Sequence, residues 1–380
     1  MAITSTRLLE RKQSISVGLE AVNPGTTAAA FKSFPCYEIS CTPEIGFIER
    51  DLYTSSLAPE TVDAVGTQFA RVTFKCDAMG SDEVTGGGTT VGAPQWTEAM
   101  LGCGFYWGAA AWADTGSAGA EGFENWNILV PSNNPVQIVT SHTVPAAGTD
   151  LMGTISIKWF SDGRQYLMTG CMGNVSLSGT AGDLAYANFE FLGILTVSTV
   201  GSDPAGAFDA TVPTPLSQDG ETYWELWEAT VTETVKMSSW ELNMNNAYDI
   251  YKDTNVTKAG KYCTITERKP TLTTTTLAFD GADADLLLSK MITDPPTTGN
   301  FQQVMGSTGS GKVNSLWLGA RKTQITSLDS GEENGYLTEN ATSKCIATGT
   351  ALDEKEVYLA VGGDCDRSSS FSATFPTIAL

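Results

Sequence analysis

Histidine is nearly missing: one residue, His142, stands in a chain of 380. The eight cysteines (36, 41, 76, 103, 171, 263, 345 and 365) form no C-x-x-C pair. Zinc sites are built from such pairs with histidine, so a zinc centre is not expected, and no other metal or cofactor is. The run GGDCDRSSS (362–370) lacks the acidic spacing and distal glutamate of a calcium loop. Basic residues are also scarce, with 22 Lys and Arg against 43 Asp and Glu, a net charge of −21. Tight nucleic-acid binding needs a basic surface, and this chain lacks the charge for one. No apolar run reaches the ~18 residues of a membrane-spanning helix. The first residues, MAITSTRLLERKQSISVGLEA, carry no apolar segment behind basic ones. Synthesis in the cytosol without a leader is therefore expected.

No G-x-S-x-G elbow occurs, and no nucleophile, base and oxyanion donors come together in the sequence. The expectation is that the chain is not an enzyme. One stretch tests this, GSTGSGKVNSLWL from Gly306 to Leu318. It nearly spells a phosphate-binding loop, but Val313 stands where the magnesium-binding hydroxyl belongs, and NSLWLGARKTQIT alternates like a strand. It reads as a mobile connection from the second helix to the next strand pair. Asp283 and Asp285 read as first-turn helix charges, and His142 as a solvated residue.

What is present is strand chemistry. Thr, Val, Ile and aromatics recur with period two between Gly, Asp, Ser and Asn. In QFARVTFKC (68–76), Ala70, Val72, Phe74 and Cys76 fall on one side. In GTISIKWF (153–160), Ile155, Ile157 and Trp159 alternate with Ser156, Lys158 and Phe160, and SDGR turns the chain back. Cys76, Cys103, Cys171 and Cys263 sit among apolar neighbours and read as reduced core residues. Two short helices are expected, at 93–101 with Pro94 in its first turn and at about 281–292 with Lys290 in its last turn.

Element order repeats. A strand pair at about 37–51 and 66–79 precedes the first helix, and a pair at about 238–252 and 260–279 precedes the second. Further strand pairs follow at 165–195 and 315–347. The repetition suggests duplication of one unit. It divides the chain into an N-terminal arm (1–34), a first module (35–200, with a long loop at 106–135), a linker (201–222) and a second module (223–380). Trp107, Trp112, Trp126, Trp224, Trp227 and Trp240 are read as core or subunit-interface aromatics. The alternative is an exposed sugar-binding platform on a carbohydrate-binding or adhesin-type β-sandwich.

In order along nearly the whole chain, these segments resemble the major tail tube proteins of long-tailed bacteriophages. The carriers are the arm LLERKQSISVGLEAVNPGTTAAAF, then YEISCTPEIGFIERDLYTSSLAPE, GTQFARVTFKCDAMGS and APQWTEAMLGCGF. ISIKWFSDGRQYLMTGCMGNVSLSGTAGDLAYANFEFLGIL follows with its F-x-F-x-G strand, and CTITERKPTLTTTTLAFD with I-T-x-R-x-P-T. The chain departs from the family at 106–135, at the tryptophan-rich 223–240 and after Gly362.

The resemblance implies a mainly β fold of two tandem tail-tube-type β-sandwich or half-barrel modules, each with one short helix. It implies a structural virion protein whose copies close into a β-barrel tube that conducts DNA. The implied partners are itself, in rings of three chains with pseudo-sixfold symmetry or of six chains, and other tail proteins such as the tape measure, terminator, baseplate or tip. Genomic DNA would pass without tight binding, no membrane would be involved, and the site of action would be the virion tail after assembly in the host cytoplasm. Strands of 15–20 residues would extend ~50–65 Å, enough to cross one ring. The lumen wall is assigned to the hairpins at about 37–80 and 238–280. The acidic candidates on or beside them are Glu38, Glu44, Glu49, Asp51, Glu241, Asp249, Asp253 and Glu267. Negative potential there would repel phosphates. Residues 1–34 and 106–135 are the expected ring-to-ring contacts.

Overall fold

The computed structural model describes residues 13–20, 24–49, 63–80, 84–85, 90–91, 94–107, 127–131, 153–161, 163–200, 221–227, 232–235, 237–255, 260–277, 286–295, 297–305, 316–333, 335–347 and 356–361. The chain is mainly β, in antiparallel sheets. It opens with β1 (Gln13–Leu19), β2 (Lys32–Phe34), β3 (Tyr37–Ile48) and β4 (Ala64–Asp77). A small pair, β5 (Val84–Thr85) and β6 (Thr90–Val91), precedes helix α1 (Thr97–Gly102), β7 (Phe105–Trp107) and β8 (Asn127–Pro131). Then come β9 (Ile155–Ser161), β10 (Arg164–Thr180) and β11 (Tyr186–Val200). The second half runs β12 (Glu221–Trp227), β13 (Thr232–Val235), β14 (Met237–Asn243), β15 (Ala247–Lys252), β16 (Gly260–Glu267) and β17 (Thr271–Leu277). It ends with helix α2 (Leu286–Ile292), β18 (Thr298–Met305), β19 (Leu316–Glu333), β20 (Tyr336–Cys345) and β21 (Tyr358–Val361).

Pairing follows two parallel plans. One run reads β2-β1-β9-β10-β11-β4-β3. The other reads β13-β12-β18-β19-β20-β17-β14. Strands take the same places in both when each is counted in chain order. The runs join where β14 lies antiparallel on β10. A side branch leads from β19 through β21 and β8 to β7. Among the described residues no ladder returns to close a ring, so the sheet of one chain is open.

Alternation decides the faces. Ala70, Val72, Phe74 and Cys76 of β4 are all buried, as the sequence pattern requires. Phe74 stacks on Phe189 and Phe191, with ring centroids 5.1 and 5.9 Å apart, and Trp96 closes the cluster 6.4 Å from Phe189. Each such ring taken fully from water contributes roughly 1.5–3 kcal/mol. All residues of α1 are buried. The helix begins later than Pro94: amides of Thr97, Glu98 and Ala99 bond the carbonyls of Pro94, Gln95 and Trp96, three residues back. That tight turn takes up the expected first turn. Helix α2 likewise begins at Leu286, and the Asp283 and Asp285 reading lies outside the described residues.

Strand β9 is covered on both sides. Ile155 and Ile157 are buried, and so is Ser156, whose hydroxyl bonds the Glu20 carboxylate at 2.7 Å. Glu20 also accepts from the Thr154 hydroxyl and from the amides of Gly25 and Gly170, each at 2.7 Å. Gly170 has φ +62 at a bulge of β10, and that left-handed turn aims its N–H at the carboxylate. The expected reversal at SDGR (161–164) agrees with the pairing of Ser161 with Arg164 and with Gly163 at φ +89.

The second long hairpin is bent, where the sequence suggested a straight one. Between β14 and β15 lies Asn245 at φ +48, and between β16 and β17 lies Pro270. Past the bend, β15 and β16 pair with each other. This arm packs Ile250, Cys263 and Ile265 onto Met172 and Leu192. Asn246 fixes the bend by donating to the carbonyls of Cys103 and Gly173, both at 2.9 Å.

Candidate functional site: the polar face of an eight-strand sheet

From β3 to β19 the ladders form one continuous sheet of eight strands, β3-β4-β11-β10-β14-β17-β20-β19. Residues directly opposite one another project to the same side. On the inner side run Leu177, Leu242, Leu272, Ser343 and Ile325, all buried and each opposite the next. The other side is polar beyond the β15–β16 arm, which covers Phe69, Met172 and Leu192 on it. Ser176 stands between Asn188 and Asn243, Asn243 opposite Thr271, Thr271 opposite Lys344, and Lys344 opposite Gln324. One row over, Ser178, Glu241, Thr273, Thr342 and Ser327 repeat the pattern.

Hydrogen bonds tie this side together across strands. The Asn174 amide donates to Asn243 Oδ1 at 2.9 Å, and the Thr275 hydroxyl to Asn340 Oδ1 at 2.9 Å. Arg71 is clamped by Glu190, by Glu44 at 3.3 Å and by the Tyr248 hydroxyl at 3.2 Å. Burial, followed by its bond to Glu190, pushes the Tyr248 hydroxyl well above its ordinary range. Lys75 lies over the Tyr186 ring, 3.8 Å from its centre. Two of the basic groups on the face are thus engaged, while Glu241 and Asp329 are exposed.

The acidic candidates distribute unevenly. Glu44 and Glu241 stand on the polar side, opposite Phe69 and opposite Ser178 and Thr273. Glu38 sits at a bulge of β3 with φ +52, exposed at the rim of a shallow depression with Lys75, Asn174 and Ser176. Glu49 is exposed just beyond β3, and Asp51 lies outside the described residues. Asp249, Asp253 and Glu267 belong to the arm or its turn. Asp249 and Asp253 accept from the amides of Ile250 and Asn255, and Glu267 pairs with Lys269 at 2.6 Å. Sequence reasoning missed Glu190 and Asp329. Their signal was the period-two alternation of NFEF and of the β19 segment, read there for strand alone.

The other candidates resolve as follows. Leu316 opens a strand, so a strand follows the glycine loop, and 306–315 themselves lie outside the described residues. Trp96 and Trp240 are buried, the latter 5.6 Å from Phe301, and Trp159 stacks on Tyr166 at 4.8 Å. The side chains of Trp107, Trp112, Trp126, Trp224 and Trp227 lie outside the described set, as does His142. Cys76, Cys103, Cys171 and Cys263 are buried free thiols. Burial raises all four, Cys263 to about 12. Among the described residues no cluster of His, Cys, Asp or Glu is placed to hold a metal ion, and no helix is long and apolar enough to cross a membrane.

No protein-family model and no curated protein matches this chain.

Proposed function

We propose that this chain is the structural subunit of a hollow tube, the major tail tube protein of a bacteriophage, polymerising as stacked rings that conduct DNA into a host cell. The observation that carries the reading is the eight-strand antiparallel sheet with one apolar and one largely polar side, whose edges at β3 and at the second half of β19 no described strand covers. A sheet edge presents unpaired N–H and C=O groups and invites another chain. Copies joined side by side close those edges into a barrel whose polar side lines the lumen.

The matching order of the two strand runs supports two tandem modules, the first closing with β11 and the second with β20. With two modules per chain, three chains give a ring of pseudo-sixfold symmetry. Phosphates would pass along Asn, Ser and Thr hydroxyls and amides, with Glu241 and Asp329 repelling them and Arg71 neutralised by its carboxylates. The remaining tail proteins would meet the ends of such a tube, and the chain's place would be the virion tail. The test is negative-stain imaging of the purified protein across a concentration series. Rings or tubes with a central channel are expected, and a monomer at every concentration refutes the reading.

A further inference from the structure

We propose that the open edge of β3 in one copy adds, antiparallel, to the open edge of the second half of β19 in another copy. This strand addition is the contact that joins the subunits. Its destination rests on the tube reading above; its residues come from strand pairing.

The chain already contains one such joint. The edge of β10 opposite β11 is shared: β9 covers Arg164–Cys171, and β14 covers Ser176–Thr180. Strand β19 holds the same place in the second run. On its edge opposite β20, β18 covers Leu316–Thr323, and among the described residues no strand follows. The place that β14 fills on β10 is vacant there. Strand β14 occupies in its run the position that β3 occupies in the first, each paired to the strand that next meets β11 or β20. Strand β3 has β4 as its one described partner. Among the described residues one chain therefore presents an uncovered plug at one end of its sheet and an uncovered socket at the other.

Polarity agrees. Every ladder across the eight strands is antiparallel, so directions alternate and the two end strands run oppositely. Joining β3 of one copy to β19 of another continues the alternation without a break. Such a contact between unlike surfaces propagates from chain to chain and closes as a ring when the rotation permits.

Burial agrees as well. From Ser176 to Gly179, β10 alternates half-buried and buried under β14, whereas no residue from Thr326 to Glu333 of β19 is buried. No residue of β3 is buried. Antiparallel addition brings the N-terminal end of β3 to the β19–β20 turn, where Tyr37 (45% exposed) meets Tyr336 (68%) and Leu337 (69%). Glu38 and Glu44 on one edge and Asp329, Glu332 and Glu333 on the other carry like charge. That repulsion opposes this pairing as it opposes any other pairing of these edges, and salt screens it.

Disulfide trapping tests the joint. Thr42 and the row Ser327, Asp329 and Gly331 share the polar side, and opposed side chains across such a ladder come within bonding reach. Thr42→Cys is mixed with each of Ser327→Cys, Asp329→Cys and Gly331→Cys on a differently tagged copy, then oxidised, and the bond is located by peptide mass mapping. The expected result is an interchain bond from position 42 to one of the three. A Thr42→Cys chain that also carries the responsive substitution should give a ladder of multimers, and the parent chain none. Rings or tubes that form without any of these bonds overturn this joint and leave the tube reading standing. A bond between two copies at position 42, or within one chain, also overturns it. A chain that remains monomeric overturns both.

Discussion

Asn243 of β14 lies directly opposite Ser176 of β10, and with that pair the strands of the second half become the continuation of the first. Beneath it, Leu242 is 1% exposed and stands opposite both Leu177 and Leu272. Leu242→Ala should cost about 2–5 kcal/mol, the usual range for emptying a packed leucine site. Chemical denaturation measures it. A loss under ~1 kcal/mol would mean that the two halves are not packed across this joint.

Glu20 holds the turn after β1 against β9 and β10 through two hydroxyls and two amides. Removing the acceptor strands four donors, three of them in buried contacts. Glu20→Ala should therefore destabilise by roughly 3 kcal/mol or more, since each buried orphan costs about 1–3 kcal/mol. Glu20→Gln keeps the volume but replaces one accepting oxygen with a donor, so it should recover part of the loss. Thermal melts of the two variants side by side check the order.

Asp77 accepts a hydrogen bond from the Tyr37 hydroxyl at 2.9 Å, while its other oxygen is buried without a partner. Burial raises its carboxyl above the ordinary 3.8, against the lowering effects of Tyr37 and Lys75. A raised folded value means that the proton is held more tightly in the folded chain. Its stabilising contribution is full below the unfolded value and is lost as pH rises through the folded one. Asp77→Asn removes that loss and keeps an acceptor for Tyr37. Its melting temperature relative to the parent should be higher at pH 7 than at pH 3.5. An equal difference at both pH values would show that the carboxyl titrates alike in the folded and unfolded chain.

The strand content was legible because alternation is a local signal: Ala70, Val72, Phe74 and Cys76 announced their face, and the structure buries them. The order of the long hairpins and the two helices was legible for the same reason. The bend at Asn245 was not, because it depends on Asn246 reaching carbonyls of Cys103 and Gly173 far away in sequence. Nor was the phase of the acidic residues. Glu44 and Asp249 look alike in the sequence, but one lies on the main sheet and the other on an arm folded over it. Strand neighbours such as β10 and β14 come together across a long gap in the chain, and no periodicity encodes that choice.

The polar side makes the last prediction. If it lines a channel for DNA, its tolerance of passing phosphates depends on how few cations it presents: Arg71 and Lys75 are engaged, and Lys344 is exposed. Ser178, Glu241 and Thr342 are three neighbouring positions of one row, reached through Thr273. Changing all three to lysine replaces a neutral and acidic row with a basic one while leaving the buried leucines beneath untouched. Assembly should persist, because the row lies on the face away from the core. The altered tubes should retain duplex DNA, with log affinity falling against log salt by about 0.9 for each phosphate engaged. Parent tubes should retain none. Retention is read by co-sedimentation of labelled DNA with tubes across a salt series, with DNA too long to be trapped passively. Variant tubes that assemble normally yet hold no more DNA than the parent would place this side away from the lumen.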